Sequence, residues 1–136
     1  MAPGRRPHVL LVEDEAANRA LVRAVLARST EAAIRDLELS EAPSLRAARE
    51  VLAGRPVDLV LLDVRLPDGS GLDLAREMAA RGEGPRPRVI VMSASVLPAD
   101  REAALASGAD AFLAKPFRMT ELLALLLGLA DAATDG

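Results

Sequence analysis

Apolar residues recur along the chain in two patterns that alternate from end to end. Short aliphatic runs predict strands β1 to β5 at residues 8–13, 34–40, 57–63, 88–93 and 111–115. Between and after these runs, apolar residues recur at helical spacing, which predicts helices α1 to α5 at residues 15–28, 45–53, 72–81, 98–107 and 117–130. The sequence therefore predicts five βα units in succession.

The third strand indicates how the units assemble. Its sequence, VDLVLLD, is apolar almost to its last residue, as expected of a strand that is buried on both faces. Strands that alternate with helices form a parallel sheet, and right-handed crossovers place helices on both of its faces. Because open sheets of this kind bind ligands at the carboxyl ends of their strands, the residues that end each strand are the first candidates for chemistry.

Length and composition favour one globular domain over residues 8–130, with residues 1–7 and 131–136 as short flexible termini. The chain has 136 residues, of which 51% are hydrophobic and 27% are charged. Only 1% are aromatic, and 17 Lys and Arg face 20 Asp and Glu. The chain thus lacks the stacking platforms and the basic surface of nucleic-acid binders, so we expect no direct nucleic-acid ligand.

The absence of cysteine excludes thiol catalysis, thiolate metal sites and disulfides. The first apolar run ends at Val12, before three acidic residues, and is too short for a signal peptide. The longest apolar stretch, residues 122–130, is far shorter than the roughly 20 residues that span a bilayer. We therefore expect a cytoplasmic protein with no membrane partner.

Polar residues end four of the five predicted strands. Glu13 and Asp14 end β1, Asp63 ends β3, Ser93 ends β4 and Lys115 ends β5. The acidic pair alone also fits a solvated turn or the N-cap of the next helix. Asp63 ends the most apolar strand, where an unpaired carboxylate is costly, and Lys115 is the only lysine in the chain.

Taken together, the segments LLVEDE, LVLLDVRLPDGSG, VIVMSA and AFLAKPF resemble the receiver domain of two-component response regulators. The resemblance covers about residues 8–130. It implies a flavodoxin-like, doubly wound α/β fold with a five-stranded parallel sheet in the order 2-1-3-4-5 and five helices on both faces. It also argues against a haloacid dehalogenase-type phosphatase, which has a second aspartate where this chain has Arg65, and against a flavin carrier.

By this resemblance, Asp63 is the phosphoacceptor and takes a phosphoryl group from a sensor histidine kinase or a histidine phosphotransfer protein. Glu13, Asp14, Asp63 and the backbone carbonyl of Arg65 would bind Mg²⁺. Converging carboxylates repel one another, so such a site favours a cation. Glu13 stands where the family often has Asp, and the sequence leaves open whether it reaches the metal directly or through water. The chain would catalyse only its own phosphorylation and dephosphorylation and is not otherwise an enzyme.

The same resemblance assigns the remaining residues of the site. Lys115 would pair with one phosphoryl oxygen and Ser93 would donate its hydroxyl to another, while the small Ala94 leaves room for the phosphoryl group. Ser93 and Phe112 would form the switch that changes the surface of α4, β5 and α5. Phe112 lacks the hydroxyl that many members carry here as Tyr, and it also fits an ordinary core position.

Four positions vary in the family or carry a special backbone. Arg65, Ser95 and Ala94 lie where access to the phosphoryl group and its lifetime are tuned. Arg65 fits two roles, shielding the phosphoryl group or lying over the acidic cleft as a surface ion-pair partner. The peptide bond before Pro116 is a candidate for the cis isomer.

We expect the domain to act by binding a downstream protein target. The Leu-rich end of α5 is consistent with a homodimer or target contact through the α4-β5-α5 face, and equally with a Leu-rich terminus. Two other functions stay open. The chain could be a protein-binding receiver module that works without phosphorylation, or the receiver part of a larger regulator. His8, the only histidine, is expected to be a polar residue at a strand edge.

Overall fold

The computed structural model describes residues 6–81, 86–94 and 97–135, with side chains through Gly128. It contains five βα units, a short helix at Ala32–Arg35 and a two-stranded ribbon of Arg65–Leu66 with Gly69–Ser70. The main elements are β1 (His8–Val12), α1 (Ala16–Arg28), β2 (Glu38–Ala42), α2 (Leu45–Gly54), β3 (Leu59–Asp63), α3 (Gly71–Ala80), β4 (Arg88–Ser93), α4 (Pro98–Ala106), β5 (Ala111–Ala114) and α5 (Met119–Asp135).

The five strands form one parallel sheet in the order β2-β1-β3-β4-β5, which confirms the predicted fold. The central strands are apolar because helices cover both faces of the sheet. The register places Asp63 beside Met92 and Ser93 beside Ala114. The carboxyl ends of β3, β4 and β5 therefore lie at the same edge of the sheet.

Alternate residues of the strands feed two separate hydrophobic cores. On one face, Leu11, Leu61 and Met92 pack with the buried sides of α1 and α5. On the other face, the strands pack against α2, α3 and α4. Every described leucine of α5 between residues 122 and 127 is buried or half-buried within this one chain. Their burial therefore requires no partner.

The predicted position of β2 is wrong. Ile34 was placed in a strand at 34–40, but it lies in the short helix Ala32–Arg35, and the strand begins at Glu38. Ile34 is apolar because it packs into the core beneath α1 and α5, not because it belongs to a strand. β2 is polar because it is an edge strand, and its charges form ion pairs, among them Glu38 with Arg6 and Arg55.

His8 is more deeply buried than a residue at a strand edge, with an exposed fraction of 1%. Its Nδ1 lies 2.8 Å from the carbonyl oxygen of Pro56, and its Nε2 lies 2.6 Å from the Ser40 hydroxyl. The carbonyl can only accept, so Nδ1 donates to it, and Nε2 shares a hydrogen bond with the Ser40 hydroxyl. His8 thus joins β1 to β2 at the amino end of the sheet, away from the polar strand ends.

The observed helix ends lie within a residue or two of the predicted ones, apart from the end of α5. Helix α1 begins at Ala16 rather than at 15, and α5 begins at Met119 rather than at 117 and continues to Asp135. In the part of the chain that the structure describes, no helix is long and apolar enough to cross a membrane.

Candidate functional site

Four of the five polar residues at the strand ends line one cleft of about 450 Å³. Asp63 is the last residue of β3, Asp14 follows β1, Ser93 ends β4 and Lys115 follows β5. Because the strands are parallel neighbours, their carboxyl ends bring these side chains together over distances of up to about 100 residues in sequence. The cleft is also lined by Glu15, Asn18, Val64, Arg65 and Ala94.

Three carboxylates converge in this cleft. Glu13, Asp14 and Asp63 each offer an oxygen, and the three oxygens lie within 4.8 Å of one another. At such separations two negative charges repel by about 4 kcal/mol at an effective dielectric constant near 20. A cation relieves this repulsion, and an all-oxygen donor set suits a hard divalent ion such as Mg²⁺. The residues present therefore fit a magnesium site.

Lys115 supplies a cation from the protein itself. Its Nζ lies 2.6 Å from Oε1 of Glu13 and 3.3 Å from Oδ2 of Asp63. Burial alone would lower the pKa of Lys115, but the hydrogen bond to Glu13 and the charge of Asp63 outweigh it and raise the pKa. The lysine thus remains an ammonium group between two carboxylates.

Among the three carboxylates, Asp63 is the one whose negative charge its surroundings stabilise least. It is 8% exposed, and this burial, opposed by the charge of Lys115 and reinforced by that of Glu13, raises its pKa from 3.8 to about 6. An ionised carboxylate here is poorly solvated and flanked by a cation, which are the conditions for a reactive oxygen nucleophile.

Glu13 is held from three sides. Its Oε1 accepts hydrogen bonds from Lys115 and from Nδ2 of Asn18 at 3.1 Å, and its Oε2 accepts from the backbone N–H of Glu15 at 3.2 Å. Burial would raise the pKa of Glu13, but the bonds from Lys115 and Glu15 together lower it. Sequence reasoning found Glu13 but missed Asn18, whose signal was its position one turn into the helix after the acidic pair.

The loop after β3 fixes the backbone of Asp63. The N–H of Gly71 donates to the carbonyl of Val64 at 2.8 Å, and a Cβ at Gly71 would lie 2.1 Å from the carbonyl oxygen of Asp63. Only glycine permits this approach. The carboxylate of Asp68 accepts the N–H groups of Leu45 at 2.8 Å and of Arg46 at 3.0 Å, which anchors the same loop to the start of α2.

Of the two predicted switch residues, Ser93 lines the cleft and Phe112 lies on the neighbouring strand β5. Ser93 is half-buried at the end of β4, and its carbonyl accepts from the N–H of Lys115 at 2.8 Å. Phe112 is half-buried in β5, with the guanidinium carbon of Arg101 at 5.6 Å from the centre of its ring. The contact joins β5 to α4 and is within cation–π range.

The other positions singled out in the sequence are placed as follows. Ala94 is exposed at the rim of the cleft, and the peptide bond between Lys115 and Pro116 is cis. Arg65 is exposed on the ribbon, and among the described residues no ion pair ties its side chain to a carboxylate. Ser95 lies outside the described residues.

An apolar pocket of about 230 Å³ adjoins the cleft. It lies between α1 and the segment after β5, where Leu21, Val22, Pro116 and Phe117 form its walls. Leu21 is 52% exposed. Among the described residues that line this pocket, the strongly polar ones are Glu13, Asn18 and Lys115, of which the last two both donate hydrogen bonds to Glu13.

Comparison with known proteins identifies a matching family and several similar proteins. The sequence matches the response regulator receiver domain family over residues 9–127. It is 39% identical over 119 residues to the KDP operon transcriptional regulatory protein KdpE of Escherichia coli K12, covering 88% of this chain and 49% of that protein. It is 35% identical to the two-component response regulator ORR41 of Oryza sativa, covering 87% of this chain and 90% of that protein.

Solved structures agree with this fold. The receiver domain of the TMAO respiratory system response regulator TorR aligns with a TM-score of 0.77 and 29% identity, covering 90% of this chain and 95% of that one. A CheY-like receiver protein from Methanospirillum hungatei aligns with a TM-score of 0.80 and 21% identity, covering 97% and 100%, and shows the fold alone. The chain spans about half the length of KdpE and 28% of PilR from Pseudomonas aeruginosa.

Proposed function

This chain belongs to the response regulator receiver domain family, and from that membership we propose that it accepts a phosphoryl group on Asp63. The domain is a phosphoacceptor rather than a conventional enzyme. The observation that carries the proposal is the ammonium of Lys115, 3.3 Å from a buried Asp63 carboxylate within a cluster of three acidic side chains. A surface ion pair would need neither the burial nor the third carboxylate.

The transfer begins when one oxygen of Asp63 attacks the phosphorus of a phosphohistidine on a partner protein. The new P–O bond makes an acyl phosphate, the P–N bond breaks, and the leaving imidazole takes a proton from solvent. Removal of the phosphoryl group is the attack of water on the same phosphorus, which returns Asp63 as a carboxylate and releases inorganic phosphate. Little covalent chemistry falls to the protein, so positioning and charge stabilisation dominate.

The residues that would hold Mg²⁺ are Asp14, Asp63, Glu13 and the backbone carbonyl of Arg65. When bound, the ion offsets the negative charge of the carboxylates and of the transferring group. Asp14 is the most accessible of the three acidic residues, whereas the other two are buried. Asp14 therefore faces the open side of the cleft, from which an ion enters.

Lys115 and Ser93 would bind the phosphoryl oxygens. The Lys115 ammonium already stands beside the nucleophilic oxygen of Asp63, so a phosphoryl group arriving there displaces little. Ser93 lines the same cleft from β4 and offers a hydroxyl donor. Ala94 leaves space at the rim, and Arg65 extends over the open side without an ion-pair partner among the described residues.

Phosphorylation would change the surface formed by α4, β5 and α5. Movement of Ser93 toward the phosphoryl group opens space behind β4, and Phe112 on the neighbouring strand turns into it. Without a phenolic hydroxyl, Phe112 contributes to this surface through packing alone. We expect the downstream protein, or a second copy of the chain, to bind there.

The partner that supplies the phosphoryl group would be a histidine kinase or a histidine phosphotransfer protein in the cytoplasm. The apolar pocket beside the cleft supports the binding of such a partner, because it offers the partner an apolar contact next to Asp63. The relatives include ORR41, matched over nearly its whole length, and KdpE, matched over half. The chain is therefore compatible with a single-domain regulator and with the receiver part of a larger one.

The test is the intact mass of the protein after incubation with acetyl phosphate and Mg²⁺. We expect one added phosphoryl group in the wild type and none in Asp63→Asn or when EDTA removes the metal. Asp73→Asn is a matched control, because it makes the same change at an exposed carboxylate of α3 that pairs with Arg76. If Asp63→Asn gains the same mass as the wild type, Asp63 is not the acceptor. If the folded wild type gains no mass, the function without phosphorylation is favoured.

A further inference from the structure

Two residue types that occur once in the chain meet at one atom of the site. Lys115 is the only lysine, and Asn18 is the only side-chain amide, since the sequence has no other asparagine and no glutamine. Both donate hydrogen bonds to Oε1 of Glu13, from Nζ at 2.6 Å and from Nδ2 at 3.1 Å. Asn18 belongs to the first turn of α1, whereas Lys115 lies after β5.

The surroundings of Glu13 leave its carboxylate dependent on these donors. The residue is 1% exposed, so water contributes little to its solvation. Its Oε2 is taken by the N–H of Glu15, and its carbonyl accepts from Nη1 of Arg19 at 2.8 Å. A buried carboxylate that loses a donor is poorly solvated, and its position is less firmly fixed.

The loss of a donor to Glu13 would affect Asp63 through Lys115. The Lys115 ammonium stands 2.6 Å from Glu13 and 3.3 Å from Asp63, so Glu13 is its nearer anchor. A lysine side chain is flexible, and an anchored carboxylate restricts where its ammonium can lie. Asn18 comes from a helix and is held by its backbone, which makes it a fixed support for the longer glutamate.

We propose that Asn18 is a positioning residue that holds Glu13 and, through it, places the Lys115 ammonium for the incoming phosphoryl group. Among the described residues, the side-chain hydrogen bond of Asn18 goes to Glu13 rather than to Asp63. The consequence for phosphorylation rests on the proposed function, but the effect on Lys115 does not. The proposal assigns Glu13 mainly to Lys115 and leaves Asp14 and Asp63 as the more open carboxylates.

The sole lysine makes a direct test practical. Protein labelled with ¹⁵N-lysine gives one ammonium signal, so NMR relaxation of that signal in metal-free protein reports how firmly Lys115 is held. The variant is Asn18→Leu, which keeps the size of the side chain and removes the donor. Asn18→Ala, which favours helix, is the second variant if the first does not fold. Asn18→Gln keeps the amide, and Arg23→Ala is the control on the same helix, where the exposed side chain pairs with Glu41.

We expect Lys115 to become more mobile in Asn18→Leu and to stay restricted in Arg23→Ala. Phosphorylation by acetyl phosphate should slow about tenfold, which is the lower end for losing a hydrogen bond to a charged group. Asn18→Gln should recover part of both effects. Wild-type mobility of Lys115 in Asn18→Leu, or equal losses in Asn18→Leu and Asn18→Gln, overturns the proposal. The mobility of Lys115 is measured without a phosphodonor. It therefore still tests the role of Asn18 if the wild type fails to accept a phosphoryl group.

Discussion

Replacing Asp63 by asparagine should stabilise the metal-free protein at neutral pH. The carboxylate is 8% exposed and lies beside Glu13 and Asp14, so ionising it in the folded state is unfavourable despite Lys115. Asparagine has nearly the same shape and carries no charge. The substitution thus removes the nucleophile and a source of repulsion together.

The magnitude follows from the pKa of Asp63, which burial raises from 3.8 to about 6. A rise of this size corresponds to about 3 kcal/mol between the protonated and ionised carboxyl. The folded state binds the Asp63 proton more tightly than the unfolded state does. The stabilisation that this proton gives the folded wild type is therefore fully present below about pH 4 and is lost as the pH rises through 6. Asp63→Asn should therefore match the wild type near pH 4 and exceed it by about 3 kcal/mol above pH 7.

The assay is urea unfolding followed by circular dichroism, with EDTA present, at a series of pH values from 4 to 8. Asp73→Asn, on the exposed side of α3, should change stability by no more than about 0.5 kcal/mol at any of them. Adding Mg²⁺ should stabilise the wild type more than Asp63→Asn, because the ion binds the folded carboxylates. A loss of stability in Asp63→Asn, or a gain of equal size at pH 4 and pH 8, would refute the reasoning.

Three further predictions concern the surroundings of the site. Gly71→Ala should cost about 1–3 kcal/mol in urea unfolding and slow phosphorylation, because its methyl group meets a backbone carbonyl, whereas Gly54→Ala, with open space, should not destabilise. Asp68→Ala should lower the unfolding midpoint at pH 7, and the loss should vanish in acid, because hydrogen bonds from two backbone N–H groups lower the pKa of this carboxylate. Arg101→Ala should shift the ring signals of Phe112 in ¹³C-phenylalanine NMR and leave those of the only other phenylalanine unchanged; an unmoved Phe112 would argue against the contact.

The sequence predicted the structure best where burial on both faces requires apolar residues. The runs that became β3 and β4 are apolar because helices cover both faces of these strands, so the parallel sheet followed from their pattern. The strand-end rule then located the cleft, because parallel strands bring their carboxyl ends to one edge. The rule brings Asp63 and Lys115, 52 residues apart by number, to this edge, and the family resemblance assigns both to one site.

The features that the sequence did not predict have a different physical cause. The position of β2 differs from its prediction because an edge strand is stabilised by pairing with β1 and by ion pairs with residues far along the chain, neither of which leaves an apolar pattern. The roles of Asn18 and Asp68 also depend on contacts made only after folding, with a carboxylate and with the start of α2. A polar residue on a helix or in a turn usually faces water, so its type alone did not distinguish these two.

The central claim, that Asp63 carries the phosphoryl group, is tested most directly by borohydride reduction of protein treated with acetyl phosphate and Mg²⁺. Reduction converts an aspartyl phosphate to homoserine, which peptide mass spectrometry locates. The tryptic peptide of residues 50–65 carries Asp63 together with Asp58, an internal control in the same fragment. We expect homoserine at Asp63 alone, and only when Mg²⁺ is present. Homoserine at Asp58, or at Asp14 in another peptide, with Asp63 unchanged, would contradict the account.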